Sequence, residues 1–247
     1  MARRHNRRRR RRGSPGPLLR VLSVLLTAVA IVAALTLFFK VDQVAVSGNE
    51  RYSEQEIIEA SGVEQGDNLI LLDKYRIAQR LYTQLPYISE VRINRQLPDT
   101  LLVEVVETQA VAVIKGGSSN WLLDSEGKLL EVIGSAAIKN YLSIEGTTAQ
   151  DPAISGTLQL AQESPLSAER LLELLGELER RGMLEKTSSL DVSDPEHLTL
   201  SYDGRFQVEM FYDADFAYKL NCLQEAVARL EPNETGIIRM TLKVDNE

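Results

Sequence analysis

The side chains that most often do chemistry are few in this 247-residue chain and poorly placed for it. There are two histidines, His5 within an arginine-rich tail and His197 beside Asp194 and Pro195, and one cysteine, Cys222. Metal centres draw on several His, Cys or carboxylate ligands at short, regular spacings, and no His/Cys constellation can be built from these three. Cys222 precedes Leu223 on an amphipathic run. That is the setting of a small buried residue rather than of a thiolate nucleophile with His197 as its base. A single cysteine also rules out an intrachain disulfide, so hydrophobic cores must carry the stability.

Ser125 to Lys128 has the S-x-x-K spacing that sets a serine nucleophile one helical turn from its lysine in penicillin-binding enzymes. Here Gly127 and the alternating flanks place it in a hairpin turn. The companion S-D-N and K-T-G motifs are broken, because Ser193-Asp194 runs into Pro195 and Lys186-Thr187 into Ser188. No glycine-rich phosphate loop is present; Gly66-Asp67-Asn68 reads as a turn. The expectation is a protein without catalytic residues, cofactor or small-molecule substrate.

Charge is distributed unevenly. Residues 1–20 hold nine arginines and no acid, which leaves 19 bases against all 35 acids in the remainder, a net of −16. Between the two parts, Val21 to Phe39 is nineteen residues without a charge, about 29 Å as a helix against a hydrocarbon core of about 30 Å. A cleaved signal peptide competes with a membrane span. However, its apolar part is usually about 7 to 15 residues, and cleavage at the one A-x-A, Ala28 to Ala30, would leave Ile31 to Phe39 as an apolar free end. As a span, the positive-inside rule keeps the arginines cytoplasmic and exports everything from Lys40 onward. Arg7 to Arg12 could also serve as a nucleic-acid-binding arm; before a span, a topogenic tail touching anionic lipid is the more economical reading, and no nucleic acid is expected as a partner.

The elements that follow are legible from local signals. Val44 and Val46 alternate with polar residues up to Ser47-Gly48-Asn49, a short strand closed by a turn. Ser53 and Glu56 form a capping box for a helix with Ile57, Ile58 and Ala60, stopped at Ser61 and Gly62. Asp73 caps a second helix bearing Ile77, Ala78, Leu81 and Leu85, ended by Pro86. Ile88 to Arg95 and Thr100 to Glu107 are strands joined through Gln96, Leu97, Pro98 and Asp99, with Leu101, Val103 and Val105 on one face. The order strand, helix, helix, strand, strand makes an α+β unit with two helices on one face of a small sheet.

Beyond Thr108 a meander is expected: Ala110 to Ile114, Trp121 to Asp124 and Lys128 to Val132. Asp151 to Glu163 reads as a surface loop with one short apolar strand or helical turn. Ser164 and Pro165 are expected to start a helix carrying Leu171, Leu174, Leu175 and Leu178 and ending near Arg181 and Gly182. Strands resume at Ser189 to Val192, Leu198 to Tyr202 and Arg205 to Phe211, the last two joined by Asp203-Gly204. Phe216, Leu220, Leu223, Val227 and Leu230 form the stripe of a final helix, and Ile237 to Val244 is a last strand. A terminal strand is often an edge whose unpaired backbone groups another chain can use; the same residues would equally suit a paired central strand filling a core.

Several stretches carry a family resemblance: Val44-Ala45-Val46-Ser47-Gly48-Asn49, Gly66-Asp67-Asn68-Leu69, Leu85-Pro86-Tyr87-Ile88, and Leu97-Pro98-Asp99-Thr100-Leu101 with Val103-Glu104-Val105 and Glu107. Further on, Trp121-Leu122-Leu123-Asp124 with Gly127, and Leu190-Asp191-Val192-Ser193-Asp194-Pro195 with Tyr218-Lys219-Leu220, continue it. In this order behind one span, the chain resembles the FtsQ/DivIB family. The Thr108-Gln109-Ala110 junction departs from it, lacking the basic residue and proline associated with family members.

The resemblance implies a cytoplasmic arginine-rich tail over 1–17, a transmembrane helix over 18–39, a POTRA domain (β-α-α-β-β) over 40–108 and a mixed β-rich domain with flanking helices over 109–247. It implies a non-enzymatic scaffold of the cell membrane at the division septum. Its partners would be FtsB/DivIC-like and FtsL-like single-pass proteins, through which septal peptidoglycan synthases are controlled. The partner strand would add to the last strand, at Ile237, Ile238, Arg239, Met240, Thr241, Leu242 and Lys243, with Phe211 and Tyr212 as neighbouring contacts. Other POTRA modules, such as barrel-assembly chaperones, usually repeat the unit, and no repeat is found here. A membrane-anchored cell-wall enzyme with an unrecognised nucleophile is the remaining alternative.

Overall fold

The computed structural model describes residues 16–241. The arginine run with His5, and Leu242, Lys243 and Val244 of the expected last strand, lie outside the described residues.

Helix α1 (Gly16–Phe38) is 23 residues long. Its side chains described over 19–35 are all exposed, and those positions rise about 26 Å against a hydrocarbon core of about 30 Å. Among the described residues no helix is long and apolar enough to cross a membrane. The hydroxyls of Ser23 and Thr27 donate back to the carbonyls of Arg20 and Ser23, each at 2.9 Å, so the helix satisfies its own polar side chains there.

The next five elements are β1 (Gln43–Ser47), α2 (Glu54–Ser61), α3 (Lys74–Gln84), β2 (Ile88–Gln96) and β3 (Thr100–Glu107). They form a three-stranded sheet of order β1-β3-β2, with β1 parallel to β3 and β2 antiparallel to it. The capping box is present in full: Ser53 Oγ accepts from the Glu56 N–H, and the Glu56 carboxylate accepts from the Ser53 N–H at 2.8 Å. That contact holds the Glu56 carboxyl below the usual range. Asp73 caps α3 by accepting from the amides of Tyr75 and Arg76. Both helices press Ile57, Ile77 and Leu81 onto Leu101, Val103 and Val105 of β3. Gly48, after β1, has φ +82°, and a Cβ there would lie 2.1 Å from the Val105 carbonyl oxygen, so only glycine fits the turn.

The rest forms one eight-stranded sheet from β4 (Ala112–Gly116), β5 (Ser119–Leu123), β6 (Leu129–Ile133), β7 (Leu142–Glu145), β8 (Thr187–Asp191), β9 (His197–Tyr202), β10 (Phe206–Phe211) and β11 (Gly236–Arg239). The order is β11-β10-β9-β8-β7-β4-β5-β6. The meander β4-β5-β6 is antiparallel as expected, but β7 runs parallel to both β4 and β8, and β11 parallel to β10, so the sheet is mixed. Helices α4 (Ala168–Arg180) and α5 (Phe216–Val227) cover one face, burying Leu171, Leu174, Leu178, Phe216, Leu220 and Leu223 against alternate strand residues such as Ile114, Ile144, Leu200 and Val208. At Asp203-Gly204 both residues have positive φ, the hairpin turn the dipeptide indicates.

Two expectations are corrected, and one stretch that carried none gains its elements. The cap of α4 is Ser167, which accepts from the Arg170 N–H, whereas the Ser164 hydroxyl donates to the Leu166 carbonyl. The reason is a hydrophobic staple: Leu166, one residue before the cap, and Leu171, four after it, are both buried in the same core. The first strand of the meander begins at Ala112 rather than Ala110, since Ala110 turns to the opposite face beside Tyr87. A 3-10 turn (Ser135–Asn140) and β7 occupy a stretch in which no strand was expected.

The second face of the meander is covered by the first sheet's end. Tyr87, only 5% exposed, packs on Val113, Leu122 and Leu130. Its hydroxyl donates to Glu131 Oε1 at 2.6 Å, and Lys128 Nζ donates to the Ile88 carbonyl at 2.7 Å.

Candidate functional site: an unpaired sheet edge

A peptide chain can be recognised by main-chain hydrogen bonds alone where a sheet ends in a strand with one side open. The two ends of the eight-stranded sheet differ in this respect. At β6 the edge is closed by the loop that follows β7: Leu129 N–H donates to Gly156 O and Ser155 N–H to Leu129 O, each at 2.8 Å. At β11 no strand lies beyond it among the described residues.

The direction of the β11 backbone follows from two bonds. Gly236 N–H donates to Arg205 O at 3.1 Å and Met240 N–H to Glu209 O at 2.9 Å. Strand amides alternate in direction, so even-numbered residues face β10, while the N–H and C=O groups of Ile237 and Arg239 face outward. The side chains alternate on the other axis. Ile238 and Met240 pack toward the core; Ile237 is 53% exposed, and Arg239 lies over β10 with Nε 3.0 Å from Glu209 Oε2.

The described strand is Gly236–Arg239, which begins one residue before the expected Ile237 and pairs with Phe206 to Glu209 of β10. Met240 and Thr241 continue past it, and Leu242 and Lys243 are outside the described residues. Phe211 ends β10, two residues beyond the last paired position. Tyr212 has its hydroxyl committed within the chain, donating to Asp194 O at 2.5 Å and Val192 O at 3.2 Å. Burial, then the carboxylates of Asp194 and Asp191, push that hydroxyl up to about 12. Sequence reasoning missed Arg170, which donates to the carbonyls of Tyr212 and Ala214 and stacks 4.1 Å from the Phe216 ring centre, fixing the turn between β10 and α5.

The residues considered for chemistry are dispersed. His197 Nδ1 sits 2.9 Å from Asp194 Oδ1 in the turn before β9; Asp194 is held low chiefly by the Glu196 backbone N–H, with the amide and ring of His197 adding to it. Cys222 is half-buried on α5. Ser125 lies in the β5–β6 turn, where Asp124 Oδ1 accepts from the amides of Glu126 and Lys128, and the Lys128 ammonium points to Ile88 instead. Among the described residues no group of three or more His, Cys, Asp or Glu could hold a metal ion.

A β-α-α-β-β unit with a parallel first strand, leading into a helix-covered mixed sheet, is the architecture of a POTRA-bearing protein, and residues 39–108 match the family of FtsQ-type POTRA domains. The chain is 31% identical to the cell division protein FtsQ of Corynebacterium glutamicum over 118 residues, 48% of this chain and 52% of that protein. It is 29% identical to the cell division protein DivIB of Clostridium acetobutylicum over 161 residues, 65% of this chain and 61% of that one. With FtsQ of Syntrophotalea carbinolica it shares 28% identity over 215 residues, 84% and 73% of the two chains. It thus spans between half and two thirds of the length of the first two relatives. The chain carries an FtsQ-type POTRA domain and is similar over much of its length to the cell-division proteins FtsQ and DivIB.

Proposed function

We propose that this protein is a non-enzymatic scaffold of the division machinery, anchored by α1, that captures FtsB/DivIC-like and FtsL-like single-pass partners and through them helps to control septal peptidoglycan synthesis. The observation that carries the reading is the open side of β11, where the outward amides and carbonyls of Ile237 and Arg239 form half of a ladder. A partner segment completes it by adding a strand. Ile237 to Thr241 line this surface, with Phe211 beside it, and in our reading the partner contact continues through Leu242 and Lys243, which lie outside the described residues; Tyr212 acts by holding the turn behind.

The anchor reading rests on the full run Val21 to Phe39, which lies almost wholly within α1 and has no charge, and on the nine arginines of residues 1–20 that precede it. We accordingly divide the chain into a cytoplasmic tail (1–17), a span (18–39), an exported POTRA domain (40–108) and an exported β domain (109–247), concentrated at the septum.

The test is depletion of the protein in its host and complementation with wild type or Arg239→Pro, with co-purification of the full chain from detergent extracts. Filamentation rescued by wild type only, with small single-pass proteins recovered by wild type only, is the expected result. Normal septation on depletion would remove the division role. Rescue and capture by Arg239→Pro equal to wild type would remove the edge.

A further inference from the structure

The junction of α1 with the POTRA domain is more than a covalent link. Leu69 N–H donates to the Phe39 carbonyl at 2.9 Å, Lys40 and Asn68 form an antiparallel bridge, and the Asn68 side-chain amide donates to the Leu35 carbonyl at 3.4 Å. Leu35 lies four residues, about 6 Å of helical rise, before the end of the apolar run. The segment after Asn68 is therefore held beside the last turn of α1, not below it.

That segment exposes apolar side chains. Leu71 is 73% exposed and Ile70 40%, and Tyr75, in the first turn of α3, is 77% exposed. The tip of the β2–β3 hairpin is at the same end, because Asp99 O accepts from the Asp42 and Gln43 amides just after α1; Leu97 at that tip is 58% exposed.

We propose that Ile70, Leu71, Tyr75 and Leu97 form an apolar rim that rests in the headgroup layer of the outer leaflet, a second membrane contact that orients the POTRA domain. The inference rests on the reading of α1 as the anchor.

Three observations select lipid as the occupant. Leu35 and Phe38 of α1 are exposed too, and Asn68 and Leu69, just before the exposed pair, are bonded to Leu35 and Phe39 beside them. The backbone amides of the exposed pair are already satisfied, since Asn68 Oδ1 accepts from the Ile70 and Leu71 amides at 3.0 and 3.1 Å, which lowers the cost of entering the wet headgroup layer. Two exposed cations at the rim, Lys40 and Arg76, can meet lipid phosphate, and the carboxylates beside them, which stay charged, are each tied to a neutral donor of the chain. Asp73 accepts from the Tyr75 and Arg76 amides, Asp67 from the Glu64 amide and Asp42 from the Gln65 side chain. Tyrosine is also at home at the bilayer boundary, where its ring is half wet.

The test uses the full chain with Cys222→Ser and one new cysteine at Leu71, Val29 or Glu163, each labelled with an environment-sensitive dye. The proteins are placed in vesicles of phosphatidylethanolamine and phosphatidylglycerol without nitroxide, or with lipid bearing it at the headgroup, to reach position 71, or deep in the acyl chain, to reach position 29. Quenching and blue-shifted emission at positions 71 and 29, with neither at 163, are expected. Quenching at 29 with position 71 behaving like 163 would overturn the rim and leave the anchor intact. A position 29 that is not quenched would overturn the anchor, and the rim with it.

Discussion

The Tyr87 hydroxyl donates to the Glu131 carboxylate at 2.6 Å across the boundary between the two sheets. Arg51 completes the arrangement, its guanidinium 3.7 Å from the Tyr87 ring centre and 3.7 Å from the same carboxylate oxygen. A hydrogen bond to a charged group contributes about 1.5–3 kcal/mol when dry, and the Glu131 side chain is 43% exposed. Tyr87→Phe is therefore expected to cost on the order of 1 kcal/mol after solvent screening. Chemical denaturation of Tyr87→Phe, Glu131→Gln and the double variant checks this: the two losses should fail to add.

High pH should loosen the same boundary. Burial raises the Tyr87 and Tyr52 hydroxyls above their usual value of 10, with Glu131 adding to the effect on both. A group that holds its proton more tightly when folded contributes stability that is complete below the unfolded value and is lost as pH rises through the folded one. Stability should therefore be flat in this respect up to about pH 10 and fall above it, and less steeply in Tyr87→Phe. Absorbance titration of tyrosinate alongside unfolding reads both; equal alkaline slopes for the two proteins would contradict the assignment.

Gly48→Ala should unfold the POTRA domain selectively. Beyond the strain of φ +82°, the added methyl would sit 2.1 Å from a backbone oxygen of the central strand, which cannot yield without breaking the β1–β3 ladder. A loss of several kcal/mol, about 3 or more, is expected. Amide exchange should show protection lost over β1 and β3 and kept over β8 to β10.

Proline at two adjacent positions separates the edge from the fold. The Arg239 amide faces outward, so Arg239→Pro removes a donor that only an added strand would use and should leave unfolding unchanged within about 0.5 kcal/mol. The Met240 amide is bonded to Glu209 O, so Met240→Pro breaks an internal bond and should fray β11. Both should abolish partner capture, and only the second should shorten amide protection of β11.

What could be read from the sequence was what is decided within a few residues. The Ser53–Glu56 box, the Asp73 cap and the Asp203-Gly204 turn each depend on one local contact, and all three are where local chemistry puts them. The cap of α4 was missed because two serines compete, and the deciding signal was the Leu166 to Leu171 spacing, not the Ser164-Pro165 pair. The parallel course of β7 and β11 was not legible, since it depends on which distant strand each meets. The Tyr87–Glu131 contact spans 44 positions, and neither residue is unusual in its own neighbourhood. At the candidate edge, the strand was suggested by its place in the chain, but its parallel pairing with Phe206 to Glu209 of β10 was not legible there.

The β2–β3 hairpin touches the α1 junction at its tip and the second sheet at its base, through Asp99 at one end and Ile88 at the other. Nine residues of strand extend about 30 Å. The hairpin is thus a strut of fixed length between the α1 junction and the second sheet, and on the proposed reading of α1 as the anchor it sets how far that sheet stands from the bilayer. On the same reading a partner anchored beside it, as proposed, would have to reach that distance, so strut and partner would be expected to change length together.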